Sequence, residues 1–186
     1  MPTSNQPAAG ASHPDVELER TVRAGTEQLL SRVGAAFAAQ QGWANQLRAA
    51  AYELRDFLRE DEARARAMMI EAPRGNEETR RIREQGIAAL TVLIDLGRAE
   101  LDDVDSVPRS AAEIAAGVIY NRIHVEVERG AELDDEMVRE LMYTAVLPYQ
   151  GIEAALAELK RPSPPPTQPQ ATSQASSAPS TGARPR

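Results

Sequence analysis

The segment SAAEIAAGVIYNRIHVEVERG, residues 110–130, is apolar on almost every side when wound as a helix. Ile114, Val118, Ile119, Tyr120, Ile123, Val125 and Val127 do not gather into one stripe. A helix at the surface of a globular protein carries a polar back face, so this one has to be covered on two sides. Two arrangements satisfy that requirement. Its own bundle covers one side and a second copy of the chain the other, or the helix lies wholly inside one bundle. Periodicity alone does not separate them. Ser110 and Glu113 stand at capping-box spacing and Gly130 supplies a stop, so the helix is bounded at both ends.

Working outward, Asp134 is placed to cap a following helix that carries Met137, Val138, Leu141, Met142, Ala145 and Val146. The short RGAELDD connection implies that the two helices pack antiparallel. Pro148 and Gly151 then interrupt an otherwise apolar run, and a short closing helix is expected from Ile152 to about Lys160. Upstream, Leu18, Val22, Leu29, Val33 and Phe37 form one stripe, with Pro14 at a first helical position and Ser12 or His13 as its cap. Gln41-Gly42 breaks that helix. Trp43, Leu47, Ala50, Ala51, Leu54, Phe57 and Leu58 form a second stripe, and Asp61 caps a short helix through Met68, Met69 and Ile70. PRGN at 73–76 turns the chain into a long helix capped by Asn76, with Ile82, Gly86, Ala89, Leu90, Leu93 and Ile94 facing inward. No alternating strand pattern occurs. The expected class is all-α, a bundle of about seven helices over residues 14–161. Residues 1–13 and the Pro/Ser/Thr/Gln-rich 162–186 are expected to be disordered.

Composition excludes several function classes. The formal charge is −7 and cysteine is absent. Phosphate backbones are bound chiefly by Lys and Arg, so direct nucleic-acid binding by this chain is not expected. Thiolate chemistry, disulfides and Cys-based metal sites are removed together. The longest uncharged apolar run, GIAALTVLI at 86–94, is closed by Asp95 and falls far short of a membrane span. No secretory signal pattern opens the chain, and a soluble cytoplasmic protein is the expectation.

Polar chemistry is sparse. Tyr120, His124 and Glu128 follow one another at four-residue spacing and share one side of the helix. Two potential ligands fall short of the three or four usual for zinc, and no HExxH completes them. There is no nucleophile elbow and no phosphate-binding glycine loop, so no enzyme activity, metal or cofactor is expected. The basic run RRIR at 80–83 follows Glu77 and Glu78 and reads as a solvated face, with Glu77–Arg81 as an available pair. The remaining candidates are apolar: Leu54, Phe57, Met68, Met69, Leu90, Leu93, Ile94, Tyr120 and Ile123 fall on inward stripes of four helices. A small-molecule pocket would be lined this way, with Tyr120, Asn121 and His124 setting orientation. An ordinary core would be lined this way too.

Three stretches in order, GWANQLRAAAYELRDFLREDEARARAMMIEA (42–72), AAEIAAGVIYNRIHVEVERG (111–130) and YTAVLPYQGIEAAL (143–156), resemble the regulatory domain of tetracycline-repressor (TetR) family transcriptional regulators. The likeness covers roughly residues 15–160 and includes a Leu-Pro-Tyr-x-Gly element, here Leu147, Pro148, Tyr149 and Gly151. It implies a helical bundle that binds a small hydrophobic ligand and forms a homodimer through a four-helix interface. Its ligand site would use Leu54, Phe57, Met68, Met69, Leu90, Leu93, Ile94, Tyr120, Ile123 and His124. Its dimer surface would use Val118, Arg122, Val125, Val138, Leu141, Met142, Ala145 and Tyr149. Family members begin with a three-helix DNA-binding head bearing a helix-turn-helix, and nothing here matches that motif. The head is therefore expected to be absent from this chain. The alternative is a ligand-free helical scaffold that dimerises or pairs with other regulators.

Overall fold

Side-chain caps set several of the helix starts. Asp61 accepts from the Arg64 amide, Asn76 from that of Thr79 and Asp134 from that of Met137, each relieving a donor without an intrahelical partner. In the computed structural model, which describes residues 13–162, these signals bound six α-helices. They are α1 (His13–Ala38), α2 (Trp43–Glu60), α3 (Glu62–Arg66), α4 (Glu77–Asp95), α5 (Ala111–Arg129) and α6 (Asp135–Leu159). No strand occurs among the described residues. The expectations for Ser12, for residues 1–12 and for the proline-rich 163–186 lie outside them.

Two local expectations need correction. Ser110 precedes α5 but its side chain makes no capping bond, so the capping-box spacing goes unused. Arg81 pairs with Glu78 at 3.3 Å rather than with Glu77. The expected closing helix forms the far limb of α6, two helical segments that meet at a kink. Gly151, at φ 80° and ψ 178°, breaks the helical path three residues after Pro148. Such a positive φ is open to glycine and strained for other residues, so the position fixes where the chain bends.

The segment expected to continue α3 as an ordinary helix does not do so. After Arg66 the chain widens into a π-helical turn over Ala67–Glu71 and then tightens into a 3-10 turn over Ala72–Arg74. Further 3-10 turns at Leu96–Glu100 and Val104–Ser106 carry the chain from α4 to α5.

α1 packs along α2 and α4, α5 packs against α4 and α6, and α2 lies on α6. One core joins these helices, with Phe57, Val33, Met142, Val138 and Val146 essentially sealed from solvent. Burial of each such side chain contributes on the order of 1.5–3 kcal/mol. α5 presents Ala111, Ala112, Ala115 and Ala116 to the core along its first half, small residues that let its backbone approach closely. Ile123 and Val127 fill the wider space beyond.

Two polar ties hold the last helix to the front of the bundle. The Trp43 indole donates to the Leu93 carbonyl at 3.0 Å and meets the Tyr149 ring edge-on at 5.1 Å. Gly97 lies so close beneath that indole that a Cβ would come within 2.6 Å of it. The Tyr149 hydroxyl donates to Asp95 at 2.9 Å, and Arg98 links Asp95 to the Val107 and Pro108 carbonyls. Farther along, Glu158 is buried in the closing limb of α6 and accepts three bonds from Arg48 of α2, at 2.9, 2.6 and 2.6 Å.

Candidate ligand-binding cavity

Helices that meet along stripes of Leu, Met, Ile and Ala leave gaps where unbranched and branched side chains face one another. The larger of two adjoining apolar gaps here is a partly open cavity of about 80 Å³ among α1, α2, the π turn, α4 and α5. Val22 and Leu29 close it from α1, Leu54 and Leu58 from α2, and Met68 and Met69 from the π turn. From α4 come Arg83, Gly86, Ile87, Leu90 and Ile94, and from α5 Ala116, Ile119, Tyr120 and Ile123. A second gap of about 50 Å³ lies beside it, lined by Val33, Leu47, Ala50, Ala51, Leu93, Leu141, Met142 and Ala145. Leu54, Leu90, Ile94 and Ile119 line both, so these four side chains form the partition.

Polar atoms gather at one edge. Widening the helix at Ala67–Glu71 changes which amides the carbonyls there meet, and the Met69 carbonyl instead takes bonds from α5. His124 Nδ1 lies 2.8 Å from it and Tyr120 Oη 3.3 Å. A carbonyl only accepts, so His124 carries its proton on Nδ1 and Tyr120 donates its hydroxyl proton. Arg83 Nε in turn donates to Tyr120 Oη at 2.8 Å, and its guanidinium lies 4.4 Å from the centre of the Tyr120 ring. Arg83 is the one charged side chain among those lining the cavity, and no carboxylate pairs with it among the described residues.

Of the ten residues expected at a ligand site, Leu54, Met68, Met69, Leu90, Ile94, Tyr120 and Ile123 line the larger gap and Leu93 lines the smaller. Two require correction. Phe57 does not reach either gap. It is fully buried, with the guanidinium groups of Arg64 and Arg32 at 3.7 and 5.3 Å from its ring centre. Arg32 also binds Glu60, whose carboxyl it holds below the usual range. His124 stands behind the lining and orients the Met69 carbonyl instead of facing the gap.

Arg83 went unrecognised as a lining residue, because RRIR reads as a solvated basic run. The signal that could have found it is spacing. Arg83, Ile87, Leu90 and Ile94 stand at i, i+4, i+7 and i+11, one face of α4. The contribution of α1 through Val22 and Leu29 was likewise missed, since both are indistinguishable from core positions by pattern.

The expected dimer surface divides in two. Val138, Leu141, Met142, Ala145 and Tyr149 are buried within the single chain and face its own core, which corrects their assignment to an intersubunit surface. One apolar stripe cannot face both its own bundle and a partner. On α5, Val118 is 52% exposed, and Arg122 and Val125 are half-exposed. Ile114, one turn before Val118, is 64% exposed. Across from them, Arg122 Nε contacts Glu140 of α6 at 3.2 Å, and Tyr143 and Leu147 continue the outer line of α6, half-buried. Arg122 also pairs with Glu126 along α5.

Among the described residues no group of three or more His, Cys, Asp or Glu converges as a metal site, and Glu128 is 3.8 Å from Arg74 instead of meeting His124. No helix among the described residues is long and apolar enough to cross a membrane. Comparison with protein-family models, curated proteins and solved structures gives no match.

Proposed function

We propose that this chain is the effector-binding and dimerisation domain of a TetR-like regulator, which senses a small hydrophobic molecule and catalyses no reaction. The observation that carries this reading is the apolar cavity among α1, α2, α4 and α5, with Arg83, Tyr120 and the Met69 carbonyl at one edge. A few convergent polar groups on an otherwise apolar concavity are the usual makeup of a small-molecule site. The resemblance of residues 15–160 to the family's regulatory domain supplies the biological role.

In this reading a ligand acts by preferring one arrangement of the helices over another, because a ligand shifts a conformational equilibrium only through differential affinity. The cavity touches both α1 and α4, so filling it changes their separation. Gly86 of α4 sits against Thr26 of α1, with room for no more than a tight Cβ contact at 3.2 Å. That close approach makes the pair responsive to small displacements.

The second reading, a ligand-free dimerisation scaffold, is favoured by a different observation, the exposed Ile114 and Val118 on α5. A thermal-shift screen with hydrophobic and aromatic compounds separates the two. A pocket raises the melting temperature for a subset of them, by an amount that grows with the logarithm of ligand concentration over Kd. Uniform silence across the screen removes the sensor reading and leaves the scaffold.

A further inference from the structure

We propose that an open cleft between the start of α3 and the α5–α6 connection docks an extended segment of a partner protein, one that presents an apolar side chain among arginines or lysines. The inference does not depend on the sensor reading.

The cleft holds about 260 Å³, well above the 80 Å³ or so of the larger core gap. Its floor is apolar: Leu58 of α2, Ala65 of α3, Val127 of α5 and Leu133 are all buried. Arg59 crosses it, donating to Glu132 at 2.9 Å and reaching the Leu133 carbonyl at 3.4 Å. The two side chains of that ion pair are 44% and 73% exposed, so the bridge is wet, contributes little and gives way to a ligand.

The rim sets the charge of the occupant. A second open space of about 350 Å³ shares Arg59 and Glu132 with the first and continues past Asp134, Asp135 and Glu136 to Arg139. With Glu62, five carboxylates line the two spaces against two guanidinium groups, a potential that favours cations. Asp134 is engaged as a helix cap and Asp135 is bound by Arg55. Glu62 and Glu136 have no partner among the described residues.

The backbone selects a peptide over a small cation. Residues 131–134 are neither helix nor turn, and Asp134 is extended at φ −94° and ψ −179°. The amides of Glu132, Leu133 and Asp134 take no hydrogen bond among the described residues. Unpaired amides beside a groove are what a strand-like segment pairs with, main chain supplying affinity and alternate side chains specificity. Side chains two residues apart on such a segment share a face and stand about 7 Å apart. A leucine on the floor therefore places an arginine over the acidic stretch.

Fluorescence anisotropy of the full chain tests this with a labelled nonapeptide that has leucine at its centre, arginine at every second position on either side and serine between. Its symmetrical order serves either direction of docking. Wild type is expected to bind it at least about tenfold more tightly than versions with the leucine changed to serine or the arginines to glutamate. Binding is expected to weaken as salt rises from about 50 to about 300 mM. Glu62→Lys/Glu136→Lys is expected to weaken binding at least about tenfold. Both positions are exposed, so circular dichroism and melting of that variant should match wild type. Hydrogen exchange at amides 132–134 is expected to slow when the peptide is bound. Absence of binding, binding that survives the double variant, or binding that leaves those amides exchanging as before overturns the docking groove. Displacement of the peptide by butylguanidinium at the peptide's own concentration overturns the peptide and assigns the cleft to a small organic cation.

Discussion

Tyr149 shows how one side chain can serve as an internal tie and carry a pH signature. Burial, and then the hydrogen bond to Asp95, push its hydroxyl from an ordinary 10 up to about 12. The unfolded chain therefore loses this proton at lower pH than the folded one does. The stability this proton supplies is fully present below about pH 10 and is lost as pH climbs through 10 toward 12. Tyr149→Phe is expected to cost about 1 kcal/mol at neutral pH by removing the bond to Asp95. Its margin relative to wild type is expected to narrow in urea titrations run from pH 9 to pH 11.5. A margin that stays constant over that range would show that the Tyr149 proton is not held as described. The same scale explains what pattern reading misassigned. Tyr149, Met142 and Val138 are apolar at spacings that suit either an inward or a partner-facing stripe, and only tertiary packing decides which. Arg83 was hidden for the opposite reason: its charge marks it as solvated, although its helical phase places it on the cavity side.

At the scale of elements, the sequence announces its boundaries where a side chain can cap. Asp61, Asn76 and Asp134 each behave as their position suggests. The π turn at Ala67–Glu71 has no such signature. Its residues, AMMIE, are good helix formers, and the widened turn is where α5 offers bonds to the Met69 carbonyl, a tertiary contact beyond local propensity. The bend at Gly151 was legible, but the anchoring of the limb beyond it was not, because the partner of Glu158 lies 110 residues earlier at Arg48. That pair gives a prediction for the element. Glu158 is almost completely buried and the Arg48 side chain is 14% exposed, so removing one charge leaves the other poorly compensated. Glu158→Gln is expected to destabilise the protein by about 2 kcal/mol, less than loss of a fully buried partner because Asn45 still accepts from Arg48. The loss should be local. Amide hydrogen exchange is expected to quicken over 152–159 while the amides of α2 keep their protection. Equal loss of protection over α2 would mean that the pair holds the whole bundle rather than its closing limb.

For the whole molecule, the all-α class followed from apolar periodicity, but the doubly apolar residues 110–130 left open whether the helix lies wholly inside its own bundle or faces a second copy. The sequence could not say which side is left over, since that depends on how α5 is rotated against α4 and α6. The alanines near the start of α5, with Ile123 and Val127, turn inward, and Ile114 and Val118 turn outward. Two exposed branched side chains on one stripe do not make an interface by themselves. A stable interface buries about 800 Å² per partner over roughly 20–30 residues, so the outer faces of both α5 and α6 would have to take part. The Arg122–Glu140 contact holds those two faces in register and places Tyr143 and Leu147 beside the α5 stripe. A twofold partner laid on this surface would cover Ile114 and Val118 and complete a four-helix contact. Wild-type protein is accordingly expected to sediment as a dimer at micromolar concentration. The double variant Ile114→Glu/Val118→Glu is expected to sediment as a monomer, because four glutamates would meet across the twofold axis without counter-charges. Neither side chain contributes to the intrachain core, so the helical circular dichroism should be unchanged. Only the concentration dependence of the wild-type melt should disappear, as mass action requires when the dimer is lost. A wild-type monomer would remove the dimer, and a double variant that still dimerises would place the contact away from the exposed stripe of α5.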